Sequence, residues 1–229
     1  MVRMSVSELS STAQDYLKMI WSATEWSSTP ITVKALSERM GVRPATVSDG
    51  LRRLADQGML EHRPYGDIEL TEAGRVHAVA MVRRHRLIET FLVETLGYGW
   101  DEVHDEAEVL EHAVSDTLVD RIDALLGRPV ADPHGDPIPT AGGEPRRPDA
   151  VLLADAPTGI RLVVSRISDA DADVLRYLAE RGIRPGTKVV LEEHRPYAGD
   201  LTVRIGDGEP SALGGVASDA VWVSPSPSQ

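Results

Sequence analysis

The sequence contains no cysteine. Disulfides, thiolate metal ligands and thiol nucleophiles are therefore excluded. Aromatic residues amount to 4% with a single Phe, so the core must be aliphatic. No apolar run is long enough to span a bilayer, and no membrane partner is expected. The opening residues, MVRMSVSELSS, lack the apolar stretch of a secretion signal, so a cytoplasmic protein is expected. An HExxH motif, a nucleophile elbow and a phosphate-binding Gly loop are also lacking, which argues against an enzyme and against a small organic substrate.

The charge is present but uneven. The 229 residues carry a net charge of −12. Residues 1–29 contribute −1, residues 30–86 contribute +3 and residues 87–229 contribute −14. One basic segment thus lies inside an acidic chain, and local charge decides which partner meets which surface.

Along the chain, SELSSTAQDYLKMIWSATE (7–25) reads as a helix by the spacing of Tyr16, Leu17, Ile20 and Trp21. A short helix follows between Thr32 as N-cap and Gly41 as stop, then another from Pro44 to Gly58. This pair is a helix-turn-helix pattern. Two short strands around a Pro-Tyr-Gly-Asp turn complete a winged helix. A long helix is expected from about Thr71 to Gly97, then one capped by Asp101, then one ending at Gly127. Residues 127–147 are rich in Pro and Gly and read as a linker or ordered loop. Five strand-like stretches and the helix DADADVLRYLAERG then form a small β-rich domain, a barrel by its pattern. The expected class is mainly α with a β-rich C-terminal domain. The expected divisions are 1–76, 77–140, a linker at 141–149, and 150–229.

The basic segment suits a DNA reader. Arg43, Ala45, Thr46, Ser48 and Asp49 stand at the start of the second helix of the pair, where short polar side chains enter a major groove. Arg52 and Arg53 follow one turn later, and Arg63 lies in the wing turn, placed for phosphates. A helix pair that mediates only protein contacts is the alternative. One winged helix covers little DNA, so a homodimer on two-fold double-stranded DNA is expected.

The densest constellation is HDEAEVLEH at 104–112. His104, Glu108, Glu111 and His112 share one helical face, beside an apolar stripe of Val103, Ala107, Leu110 and Val114. His85 and Glu89 form a second i, i+4 pair on the preceding helix. Asp105 and Glu106 point elsewhere, toward solvent. A His/Glu-rich helix is often just a solvated face. Two helices with ligand-type pairs at matching spacing favour metal binding. Acid/base catalysis by close carboxylates is the weaker alternative.

A winged helix, then "RRHRLIE", "VHDEAEVLEH", "HGDPIP" and a small β-domain together resemble the metal-dependent repressors of the DtxR/MntR family. The resemblance covers nearly the whole chain. It implies a dimeric repressor activated by a divalent metal, with an SH3-like (FeoA-like) C-terminal domain. It implies a primary metal site of Asp15, Glu108, Glu111 and His112, and an ancillary site of His85, Glu89, His104 and a residue near "DADAD", where Asp171 is the first choice and Asp173 the next. Iron-responsive members carry Met and Cys where this chain has Asp15 and Glu108. Hard carboxylates favour Mn²⁺, so a manganese-responsive repressor of uptake genes is expected. An Fe²⁺-responsive repressor is the alternative, Co²⁺ or Cd²⁺ can substitute, and a metalloenzyme or storage module is the reading from another class. The small manganese repressors supply a further carboxylate one turn after the first-helix Asp. Here that position is Lys18, so their two-metal cluster is not expected.

Overall fold

The computed structural model describes residues 9–26, 30–62, 67–144, 149–195 and 199–226. Helix α1 (Ser11–Glu25) begins where Ser10 Oγ accepts from the Ala13 N–H. α2 (Val33–Met40) is capped by Thr32, and α3 (Pro44–Asp56) opens on Pro44, whose fixed φ suits a first turn. Tyr16, Leu17, Ile20, Leu36, Val47, Leu51 and Leu54 pack these three helices together. β1 (Leu60–His62) pairs antiparallel with β2 (Ile68–Leu70), in register Leu60 to Leu70. The turn between them, with Arg63, lies outside the described residues.

α4 (Glu72–Leu96) is 25 residues long and runs straight through the division expected at 76/77. Thr71 caps it, and Gly97 ends it at φ +77°, a left-handed conformation that favours glycine. α5 (Val103–Leu110) and α6 (Asp116–Leu125) pack against α4. Asp101 does not cap α5. The N-cap is Glu102, without a side-chain bond, and Asp101 is drawn away to Arg176 at 3.3 Å.

The described part of the Pro-rich stretch, residues 127–144, is an ordered loop. Asp132, His134, Asp136 and Ile138 are buried in it. It folds back on itself through an Ala131–Pro137 bridge, and it docks on the C-terminal domain where Ile167 N–H donates to the His134 carbonyl at 2.8 Å. Gly135 shows how close that docking is. Its φ is +89°, and a Cβ there would sit 2.1 Å from the Ser165 carbonyl oxygen.

The C-terminal domain is one antiparallel six-stranded sheet. Its strands are β3 (Val151–Leu152), β4 (Arg161–Ile167), β5 (Lys188–Arg195), β6 (Asp200–Ile205), β7 (Ser211–Gly214) and β8 (Val221–Pro225), in the order β3-β8-β4-β5-β6-β7. α7 (Ala172–Glu180) lays Leu175 and Leu178 on its core, and α8 (Gly215–Ser218) follows β7. β7 escapes sequence reading because Leu213 is its single buried residue, so no alternation marks it.

Candidate metal centre

The first cluster joins α1 to the end of α5. α5 closes at Leu110, so Glu111 is its C-cap and His112 lies in the turn beyond. That turn swings both side chains toward α1. His112 Nε2 is 3.0 Å from Asp15 Oδ1 and 3.8 Å from Glu111 Oε1. The other ring nitrogen fixes the tautomer. Nδ1 lies 2.7 Å from Gln14 Oε1, while the Gln14 amide group donates to the Leu9 carbonyl at 3.0 Å. His112 Nδ1 therefore carries a hydrogen, which leaves Nε2 as the ring atom that faces Asp15 and is free to ligate once deprotonated. Asp15 Oδ1 is buried without a hydrogen-bond donor. Burial raises the Asp15 pKa despite His112 and Lys18 nearby. The unpartnered Asp15 Oδ1 and the facing His112 Nε2 are placed to share a cation.

Glu108 and Glu111 complete the sequence-expected set, but both are held by Lys18. Its Nζ lies 2.5 Å from Glu108 Oε1 and 2.5 Å from Glu111 Oε1. Burial opposes the Lys18 charge, yet the two carboxylates outweigh it and raise its pKa. Glu111 is fully buried, and its second oxygen accepts from His85 Nδ1 at 2.6 Å.

The second cluster starts from the same imidazole. His85 Nε2 is 3.0 Å from Glu89 Oε1, so one ring links both clusters. His104 Nδ1 lies 3.3 Å from Glu89 Oε1 and 3.3 Å from Asp169 Oδ2. One donor atom from each of His85, Glu89, His104 and Asp169 falls within 4.8 Å of the others. Burial opposes charge on His85, but Glu89 and the bond to Glu111 push its pKa up to about 9. Asp169 and Glu89 push His104 up to about 11 against its own burial. Glu89 is driven down to about 2, its burial outweighed by His85 and His104.

Asp171 does not belong to this cluster. Its side chain caps α7, accepting from the Asp173 and Val174 N–H groups. An acidic residue at a helix start satisfies orphan amides there. Asp173 is turned to Arg176. Asp169, two residues earlier and ahead of the helix, stands in the place expected of Asp171. Sequence reading also missed Gln14, whose only signal is its position before Asp15.

On the α2–α3 face, Arg43, Ala45, Thr46, Ser48, Asp49, Arg52 and Arg53 are all exposed. Ser48 Oγ donates to the Pro44 carbonyl at 3.0 Å, and Arg52 pairs with Asp49 at 2.8 Å. Behind them, Gly50 lets α3 sit directly on Tyr16 of α1. A Cβ at Gly50 would come within 2.5 Å of the Tyr16 ring.

Comparison with known proteins matches this arrangement. Residues 8–68 match the iron dependent repressor, N-terminal DNA binding domain; residues 71–140 match the iron dependent repressor, metal binding and dimerisation domain; and residues 151–225 match the FeoA domain. The iron-dependent repressor IdeR of Mycobacterium tuberculosis is 34% identical, over 82% of this chain and 86% of that protein. The diphtheria toxin repressor of Corynebacterium efficiens is 32% identical, over 80% and 83%. A solved manganese-dependent transcriptional repressor in complex with manganese is 53% identical, with TM-score 0.89, over 92% of this chain and 98% of that one. Among the described residues no helix is long and apolar enough to cross a membrane. The chain therefore belongs to the iron-dependent repressor (DtxR) family, and is a metal-dependent transcriptional repressor rather than an enzyme.

Proposed function

We propose that this protein is a Mn²⁺-activated repressor that binds operator DNA as a homodimer and controls manganese uptake genes. The observation that carries the reading is the donor set. Asp15, Glu108, Glu111 and His112 offer three carboxylates and one imidazole, and the chain has no thiolate to add. Hard oxygen donors suit Mn²⁺ better than softer ions. The 53% identity to a manganese-dependent repressor supports the same reading. The iron-dependent curated relatives favour a second one, in which Fe²⁺ is the activator.

A bound divalent cation supplies positive charge that these carboxylates share. Asp15 then ties α1 to α5, and Tyr16, next in the chain, passes the position of α1 to α3 through Gly50. Arg43, Arg52 and Arg53 meet phosphates, while Ala45, Thr46, Ser48 and Asp49 meet base edges. Arg63 serves as a wing contact. A dimer face is offered by Leu96, Val109, Leu118 and Leu125, exposed apolar residues of the helical layer.

Anaerobic titration of Mn²⁺ and Fe²⁺ against operator binding tests the reading. Manganese is expected to activate at the lower free concentration, and Asp15→Ala to abolish activation by either metal. Equal DNA affinity with and without both metals would overturn it.

A further inference from the structure

Among the described residues, the cluster of Asp15, Glu108, Glu111 and His112 draws its donors from α1, from α5 and from the turn beyond α5, and none from the C-terminal domain. That domain nevertheless holds one end of each of these helices by a tryptophan. Trp26 is the C-cap of α1. The Arg166 guanidinium of β4 lies over its ring at 4.8 Å and over the Trp222 ring of β8 at 4.3 Å. Arg166 is itself buried. Trp100 stands three residues ahead of α5. It is buried, and its side chain belongs to the core of the C-terminal domain, with Leu153, Leu175 and Ile183. The Arg184 guanidinium lies over its ring at 4.8 Å, and the His134 ring stacks on it at 5.7 Å. Beside it, Asp101 pairs with Arg176 of α7 at 3.3 Å.

β4 and β8 are adjacent strands of one sheet, and that sheet shares its core with α7. Packed interiors deform little. Both tryptophans are therefore fastened to one stiff body. α1 and α5 each pack on α4, and the cluster spans the two, with Asp15 on α1 and His112 just past α5 at 3.0 Å. We infer that the C-terminal domain is a brace for the first cluster, with Trp26 and Trp100 as positioning residues that fix the spacing of α1 and α5 before an ion arrives. Donors already in place lose less freedom on binding, so the ion is held more tightly. This rests on the reading of the first cluster as a metal site. A brace differs from two separate props, because it sets a spacing only while both ends hold. Loss of either end removes the whole effect, and loss of both adds nothing.

Calorimetric titration of the full-length protein with manganese chloride tests the brace. Every variant also carries Asp169→Asn, which removes the carboxylate that the C-terminal domain brings to the second cluster. The first cluster is identified as the binding step that Asp15→Ala removes. Trp26→Ala and Trp100→Ala are each expected to weaken that step by about tenfold, within the usual range of coupling between sites. The double variant is expected to match the single ones, and Trp100→Phe to recover most of the loss. The number of ions bound at saturation is expected to stay the same. Trp26 is half-buried and lies outside the core clusters, so Trp26→Ala carries the test even where Trp100→Ala fails to fold. Unchanged affinity in Trp26→Ala, or losses that multiply to about a hundredfold in the double variant, would overturn the brace and leave the proposed function standing. No Mn²⁺ bound by the unaltered protein would overturn both.

Discussion

The Lys18 ammonium occupies the two oxygens that Glu108 and Glu111 would offer a metal, at 2.5 Å each. It is a tethered cation inside the site. It neutralises both carboxylates, and at the proposed site it would compete with a metal ion for them. Lys18→Met should therefore tighten Mn²⁺ binding by about tenfold or more, and should lower the melting temperature of the metal-free protein, since breaking a buried ion pair costs about 3–5 kcal/mol. Calorimetric titration reads the first effect, and an unchanged Mn²⁺ affinity would show that Lys18 does not compete. Protons compete in the same way at the second cluster. His85 and His104 are pushed up to about 9 and about 11, which favours their protonated forms at neutral pH without metal. A ligating nitrogen must lose its proton. Raising the pH from 6 to 8 moves toward the deprotonated form, so affinity at that cluster must rise with pH. The expected release is about two protons per ion, approaching a hundredfold gain in affinity per pH unit well below both pKa values. Titration in buffers of different ionisation enthalpy counts those protons.

At the scale of elements, the contact between α1 and α3 would link the proposed metal cluster to the proposed DNA face. Asp15 and Tyr16 are adjacent on α1, one toward His112 and the other under Gly50. Gly50→Ala places a methyl 2.5 Å from the Tyr16 ring, so the ring or the helices must shift. Overpacking of this kind costs roughly 1–3 kcal/mol. The expected result is a protein that still binds Mn²⁺ but needs more of it for half-maximal operator binding. Unchanged DNA activation in a fluorescence-anisotropy titration would remove this contact from the coupling route. The helices themselves were legible in the sequence, because Thr32, Pro44, Thr71 and Gly97 are local start and stop signals. The Asp101 cap was not, because its competitor Arg176 lies 75 residues away. The loop at 127–140 was legible only in part. Its Pro and Gly content allows a linker or an ordered loop, and the choice depends on distant partners: Trp26 just after α1, Arg86 in α4 and Arg166 in β4.

Across the whole molecule, a buried charge network holds the three parts together. Arg86 of α4 pairs with Glu25 of α1 at 2.5 Å, and Arg166 of β4 donates to Asp136 of the loop at 2.7 Å. The Trp26 indole also donates to Asp136, at 2.8 Å. Arg166 lies over the Trp26 and Trp222 rings at 4.8 and 4.3 Å, so the C-terminal domain grips the end of the helix that carries Asp15. Arg166→Ala should loosen that grip, leaving Asp136 short of a partner. A loss of about 3 kcal/mol is expected, seen as a lower melting temperature and faster amide exchange at the end of α1. A variant with unchanged melting and exchange would show that the grip contributes nothing.

The sequence alone determined the order of domains, the start and stop of most helices, and the spacing of the His and Glu pairs at 85/89 and 104–112; Asp15 entered only through the family resemblance. These are local properties, carried by spacing and caps along one stretch of chain. Only the tertiary structure decided that Asp169 rather than Asp171 faces His104, that Lys18 spans Glu108 and Glu111, and that His134 is aimed at Glu89. Each of those pairs joins residues far apart in sequence. Packing alone brings their lone pairs and charges within reach of one another.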